Sequence, residues 1–464
     1  MVHNLSLKQI ALILFAFSLI AGGGSTLYLS HVAHEYNTPA ALEYPAPVTG
    51  VAIDNAVIAQ NLLTYHTFSQ STSTPTTPDA RRTPGYPLFA YASLALFGSF
   101  YPLLILQIFT TFLTAGIIFL MARRLLAKEW ALAVAVLYIL LPDTLLSAGV
   151  LYTENFFVLF FTLGLYVFFF SENTSIYSRF ALTGFLFAIA TYMRPASLYV
   201  LLFFIPAYFL FYLPWREITR THILSAGLLI LVFLATLAPW YARNHHEFGV
   251  WDFTSLGAYD LFRQNGAQFY QSLSGLGPVE SREALETMAG IPLGPIPYDL
   301  KYSGVMKKVA LEVIFSHPLK YAVFQSTSFI PFFTSAGSHD YWRFVEDMVP
   351  SFNPPAEPSL IQALNPFSFR LLVIDINNHG WFLLENVLWG VITLLMLLGL
   401  WKSKDVRLAR IFFALILYFA LVTGPSPTRA TASPWSLYYS LAHSPLVQRY
   451  GNVGTRRISL FARA

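Results

Sequence analysis

The sequence predicts an all-α integral membrane protein: about nine transmembrane helices with interfacial helices and a large exoplasmic cap. Three observations carry this. Only 11% of the 464 residues are charged, against roughly 25% in soluble domains, while 55% are apolar and 17% aromatic. Nine long apolar runs, near 9–30, 101–122, 130–148, 153–170, 179–193, 195–214, 222–242, 380–400 and 405–423, approach the roughly 20 residues a helix needs to cross a bilayer. The basic residues between them fall on alternate sides. The formal charge of +4 is too small and too dispersed for a nucleic-acid footprint. With no cysteine, disulfides, thiolate metal sites and Cys nucleophiles are excluded, so any catalysis uses oxygen or nitrogen chemistry.

The first run continues through Gly22-Gly23-Gly24 into more apolar sequence, the mark of an uncleaved anchor rather than a signal peptide. Arg123, Arg124, Lys128, Arg179, Arg216, Arg220, Lys402, Lys404, Arg407 and Arg410 all lie in or beside short connections that follow even-numbered runs, as in cytoplasmic loops. This orientation predicts a multi-pass protein of the cytoplasmic (inner) membrane, with its N-terminus cytoplasmic and its active site facing the periplasm or exterior. The plan is then 1–242 as a bundle with a first exoplasmic loop at 31–100, 243–379 as the cap, 380–424 as C-terminal transmembrane helices and 425–464 as an atypical tail. Leu88–Leu96, Met306–Phe315 and Tyr321–Phe333 are too short or too interrupted by Pro318 and Pro331 to span, and read as membrane-surface helices. The run at 179–193 is short, so Arg194 is expected slightly below the outer surface, held by protein or by an anionic partner. No internal repeat or inverted pair of broken spans points to a transporter.

Outer-side acids include Asp54, Asp79, Asp143, Glu154, Glu247, Asp252, Asp260 and Glu385. Asp54 heads the amphipathic run Ile53–Leu63, where a carboxylate either caps the helix or serves as a base aimed at the bundle. Glu154 and Asp143 share a short outer loop and have the same two readings. Two carboxylates from separate outer loops suffice for base chemistry or for a divalent cation, and no other cofactor is indicated. The basic candidates are Arg81, Arg82, Arg194 and Arg243. Each alone reads as a snorkelling side chain; converging at headgroup depth, their planar forks suit a lipid-linked phosphate. His31 and His34, and His245-His246-Glu247, lack the HExxH arrangement of a zinc site, and no glycine-rich phosphate loop joins a strand to a helix.

The order of short motifs then becomes informative: Asp54-Asn55-x-x-x-x-Gln60-Asn61-Leu62, Arg82-Thr83-Pro84-Gly85-Tyr86-Pro87, Tyr152-Thr153-Glu154-Asn155, Arg194-Pro195, Pro239-Trp240-x-x-Arg243-Asn244 and Thr423-Gly424-Pro425-Ser426. Over about residues 5–426 this resembles the membrane glycosyltransferases of the family 39 type in the C superfamily. That type includes the dolichyl-phosphate-mannose protein mannosyltransferases and the bacterial transferase that adds aminoarabinose to lipid A. The resemblance implies transfer of a sugar from a polyprenyl-phosphate carrier to a lipid, glycan or protein acceptor outside the cytoplasmic membrane, among membrane lipids and without nucleic acid. It implies Asp54 as base, Arg82 beside the donor phosphate, Arg243 closing the seventh span, and Glu154 or Asp143 as second acid. A single displacement would invert the anomeric centre. The alternatives are a flippase or transporter of lipid-linked glycans, or an oligosaccharide ligase or polymerase. After Gly-Pro-Ser the sequence departs from the family's final span, which points to a truncated or frameshifted C-terminus.

Overall fold

A chain crossing a bilayer finds no water there to bond its backbone, and in this computed structural model the apolar runs satisfy those groups internally by coiling into helices. The structure describes residues 5–36, 51–74, 76–171, 174–292, 299–334, 384, 386–399 and 405–423, and among these there are helices and turns but no strand. Ser6 starts α1 (Leu7–Phe17) with a capping box: its hydroxyl accepts from the Gln9 amide while the Gln9 side chain accepts from the Ser6 amide. A π-helical stretch, Ser18–Gly22, leads into α2 (Gly23–Tyr36). The first long connection holds α3 (Val51–Tyr65) and α4 (Gly85–Phe97). The bundle continues through α5 (Tyr101–Ala122), α6 (Lys128–Leu140), α7 (Pro142–Gly149), α8 (Glu154–Phe170), α9 (Ile176–Met193), α10 (Leu201–Ala207, extended by a π turn to Tyr212) and α11 (Arg220–Phe248).

Beyond it the cap runs α12 (Ser255–Tyr259), a π-helical stretch Asp260–Gly266, α13 (Ala267–Ser274), α14 (Pro278–Ala289), α15 (Ser303–Ser316) and α16 (Pro318–Thr334). Two further apolar helices follow, α17 (Asn386–Gly399) and α18 (Val406–Thr423). The three segments expected to lie on the membrane surface all fold as helices, within α4, α15 and α16.

By length and composition, four helical stretches among the described residues are able to cross a membrane: Leu7–Ala33, α5, α9 and α11. A fifth is the pair α6 and α7, bent by 53°. The sequence reads 130–148 as one uninterrupted span; Pro142 breaks it, because its ring pushes Leu141 into extended backbone (ψ 134) and it offers no N–H to continue the helix. α8, α10 and α17 are apolar but shorter. Large apolar side chains face outward along the bundle, among them Leu12, Ile20, Ile105, Leu202 and Leu231, as a lipid-facing surface requires.

Three packed regions position the site. Leu29, Ala56, Tyr86, Leu104, Leu151 and Phe156 join α2, α3, α4, α5 and α8. Phe168, Phe187, Phe204, Leu229 and Tyr418 join α8, α9, α10, α11 and α18. Within that second region α9 and α11 meet backbone to backbone: a Cβ on Gly184 would lie 2.5 Å from the Leu229 carbonyl oxygen, so only glycine permits the approach. The cap has its own core of Phe262, Leu285, Met306 and Ala310. Residues 335–383 of the expected cap and spans, and everything from 424 onward, including the expected aberrant tail, lie outside the described residues.

Candidate active site

Asp54 sits in the first turn of α3, and its carboxylate is held by a neighbouring loop rather than by its own helix end. Arg82 donates from Nε at 3.0 Å and from Nη2 at 2.6 Å to the same Oδ2, and Arg81 Nη1 lies 3.3 Å from that oxygen. The loop reaches Asp54 because side chains pin its backbone. Asn61 Nδ2 donates to the carbonyls of Ser69 (2.8 Å) and Ser71 (2.9 Å). The Asp79 amide donates to Phe68 at 2.9 Å, and Asp79 Oδ1 accepts from the Arg81 amide at 2.7 Å, an Asx turn that sets both arginines.

The same loop is fastened to the end of α9. Thr83 Oγ1 donates to the Met193 carbonyl at 3.3 Å, and a Cβ on Gly85 would lie 2.7 Å from the Tyr192 carbonyl oxygen. Only glycine tolerates that contact, so Arg82 and Arg194 are carried on backbones locked together. Pro195 forces Arg194 into extended backbone (φ −146, ψ 122), ending α9 and aiming the side chain at the first residue of α8. There Arg194 Nη1 bonds Glu154 Oε1, while Thr153 Oγ1 donates to Glu154 Oε2 at 3.0 Å. The expected anionic partner of Arg194 is thus Glu154. The turn carrying Glu154 is anchored in turn: Asn55 Nδ2 donates to Leu151 at 2.9 Å, and Gln107, bonded by the Tyr86 hydroxyl, donates from Nε2 to Val150 at 2.8 Å.

Two expected site residues lie elsewhere. The sequence groups Arg243 with the phosphate-facing arginines, but its Nη1 donates to the Asp79 carbonyl at 2.7 Å and to Asn244 Oδ1 at 3.0 Å. Its guanidinium is stacked over Trp240 (4.8 Å to the ring centroid), Phe248 (5.2 Å) and Phe68 (5.7 Å). Arg243 therefore braces the back of the loop whose front carries Arg81 and Arg82. Asp143 occupies the first turn of α7, at the break in the bent span, and the length of that helix, roughly 10 Å at 1.5 Å per residue, separates it from the turn bearing Glu154.

The cap closes over the loop from the other side. Trp240 Nε1 and Asn244 Nδ2 hold the Phe253 carbonyl at 2.9 and 3.0 Å, Thr254 Oγ1 donates to the Arg81 carbonyl at 2.6 Å, and the Ser255 amide donates to Ala80 at 3.1 Å. One short helix later Asp260 enters the cluster. Burial pushes its carboxyl up to about 6, against the opposing pull of Arg82, Arg81 and Arg194. Asp79 is also raised by burial, opposed by hydrogen bonds from the Arg81 and Arg82 amides and by the Arg81 charge.

Asp79 and Asp260 stand in the sequence only as two outer acids among several; nothing in their spacing sets them apart, because a carboxylate's value here depends on loops that meet after folding. Of the histidines, His31 is exposed and His245 stacks on Trp251 at 4.4 Å. Among the described residues no three His, Asp or Glu side chains are grouped to hold a metal ion.

The arrangement is an acid bound by arginines, a second acid–arginine pair beside it, and an apolar bundle beneath. It fits with what residues 81–241, roughly a third of the chain, resemble: they match the family model described as dolichyl-phosphate-mannose-protein mannosyltransferase. No curated protein and no solved structure matches the chain. The resemblance read from the motifs is borne out over that segment, which carries Arg81, Arg82, Glu154 and Arg194. The chain is an all-α membrane protein, and over residues 81–241 it is similar to the membrane glycosyltransferases of the family 39 type.

Proposed function

We propose that the protein takes a sugar from a polyprenyl-phosphate carrier and transfers it, with inversion, to a hydroxyl of a lipid, glycan or protein on the outer side of the cytoplasmic membrane. The observation that carries this is the meeting of Asp54, Arg81 and Arg82 beside the Glu154–Arg194 pair at one end of an apolar bundle. Displacing a phosphate from an anomeric carbon passes through an oxocarbenium-like state, which asks for a base at the incoming hydroxyl and cations at the departing phosphate. Asp54 Oδ2 is occupied by the two guanidinium groups, and among the described residues its Oδ1 makes no hydrogen bond, leaving that oxygen to take the acceptor's proton. Arg81, Arg82 and Arg194 receive the charge that builds on the phosphate as the C–O electron pair moves to it; Arg243 fixes the loop on which two of them ride. Glu154 orients Arg194. The exposed apolar side chains of α4, Leu88, Leu96 and Phe97, offer the isoprenoid a surface at the same end.

The exposed Arg123, Arg124, Arg216 and Arg220 lie at the opposite end of the helices, which supports the outward orientation of the site and a cytoplasmic N-terminus. The test is turnover by the purified protein of a lipid-phosphate donor carrying a radiolabelled sugar, with products resolved by mass. A new glycosidic bond that is lost in Asp54→Asn is expected; movement of the intact donor without a new bond would replace the transferase with a flippase.

A further inference from the structure

The cap contributes a carboxylate for which the mechanism above has no use. Asp260 follows directly on the segment whose Thr254 and Ser255 are bonded to the carbonyls of Arg81 and Ala80, so its place over the arginine loop is fixed by the backbone. Its carboxylate is largely buried and, among the described residues, makes no hydrogen bond or ion pair; the charges it feels are those of Arg82, Arg81 and Arg194. It therefore faces three guanidinium groups through space, with no bond of its own to any of them among the described residues. The charged groups on the elements packed against it are engaged elsewhere or turned away: Arg263 with Glu286, Lys307 with Asp252, Lys308 with Glu312, and Glu280, Arg282 and Glu283 exposed on α14. α12 and α13 carry no charged side chain.

The charge balance of the cluster bears on what it can bind. The carboxylates of Asp54, Glu154, Asp79 and Asp260 stand against the guanidiniums of Arg81, Arg82, Arg194 and Arg243. With all of them ionised the charges cancel, and the cluster has no net positive charge to draw in an anionic donor. Protonating one carboxylate supplies it. Asp54 and Glu154 are bonded directly to arginines and Asp79 accepts from backbone amides, which leaves Asp260 as the group whose charge is least supported by hydrogen bonds.

Resting on the glycosyl-donor reading above, we propose that Asp260 is a donor-binding residue: it takes up a proton as the donor's phosphate settles among Arg81, Arg82 and Arg194, and in its acid form donates a hydrogen bond to a phosphate oxygen. No covalent bond changes in this step; one proton passes from solvent to the carboxylate. Because burial already pushes Asp260 up to about 6 without a ligand, the anion needs to raise it only modestly further for the acid form to hold at neutral pH.

The probe is a farnesyl methyl phosphodiester, whose single charge is constant between pH 5 and 8, titrated calorimetrically into the full-length protein in detergent. In two buffers of different ionisation enthalpy at pH 7, the wild type is expected to take up close to one proton per ligand bound, and its affinity to fall by up to roughly tenfold per pH unit above about 6. Asp260→Asn, which keeps a donor but cannot titrate, is expected to bind with no proton uptake and a flat pH profile, whereas Glu283→Gln, at an exposed position on α14, keeps both. Absence of uptake in the wild type overturns the proposal without any variant, and so does uptake that survives in Asp260→Asn. The result is separate from the transferase reading: linked binding without turnover sinks that reading and spares this one, and turnover with unlinked binding does the reverse.

Discussion

Both ends of the bundle carry arginines, and they are put to opposite use. At one end Arg123, Arg124, Arg216 and Arg220 sit on short connections and are exposed. At the other, Arg82 retains 13% and Arg81 22% of their side-chain exposure, and both lie on Asp54. The difference is in the connections. On their short turns these four arginines stay exposed, whereas loops long enough to fold back bring carboxylates, carbonyls and aromatic faces around the guanidinium and desolvate it. A desolvated, pre-aimed cation is what a developing phosphate charge can use.

Substitutions at the two ends break or sharpen this contrast. The largest effect is expected from Asp54→Asn, which should lower transfer by about a thousandfold, within the range typical of a lost general base, while a thermal melt shows the fold retained. Transfer at wild-type rates would remove Asp54 from the reaction. Arg82→Met should cost roughly a hundredfold in kcat, as for other lost charge-stabilising donors, with Arg194→Met somewhat milder because that pair is more exposed, 38% against 13% for Arg82.

Arg243→Lys should act differently, raising KM more than it lowers kcat and lowering Tm, because a lysine keeps the charge but loses the planar stack on Trp240 and the bond to Asp79. A pure kcat effect would instead put Arg243 among the groups touching the reacting atoms. Gly85→Ala should destabilise by about 1–3 kcal/mol in chemical denaturation, since its methyl would press on the Tyr192 carbonyl. At the exposed end, Arg216→Gln should change stability by no more than about 0.5 kcal/mol and leave transfer unaltered; a large loss there would dissolve the contrast.

The pH dependence of stability gives a smaller, signed check. Asp260 has a folded-state pKa of about 6, above its ordinary value of 3.8, so the folded protein binds the extra proton. Its stabilising contribution is present below about 3.8 and is lost as pH rises through about 6. Asp260→Asn should therefore raise Tm relative to wild type at pH 8 and not at pH 4.

The motifs read from the sequence contain Asp54, Arg82, Glu154, Arg194 and Arg243 but not Arg81, Asp79 or Asp260, and most of their remaining polar residues turn out to be backbone clamps. Asn55 holds Leu151, Asn61 holds Ser69 and Ser71, Thr83 holds Met193, and Trp240 with Asn244 holds Phe253. A side chain that bonds a distant carbonyl leaves no periodic trace, so the clamps could be quoted as motif letters but not understood. That Arg194 is held by protein or by an anionic partner was legible because a cation at the end of a short span needs support. Its partner was not, since Glu154 and Asp143 stand 40 and 51 residues before it on one short outer connection and only the fold past the break at Pro142 sets them apart.

By itself the sequence determined the solvent: apolar runs of spanning length follow from composition, which needs no partner in space. It determined also which residues between those runs are ionisable. Only the tertiary structure decided that Arg82 binds Asp54 across 28 residues, that Arg194 binds Glu154 across 40, that Arg243 stands behind the loop, and that the cap lowers Asp260 over them. The physical reason is that the local backbone records periodicity and charge, while the strength of a charge depends on what excludes water from it, and those groups come from loops far apart in the chain.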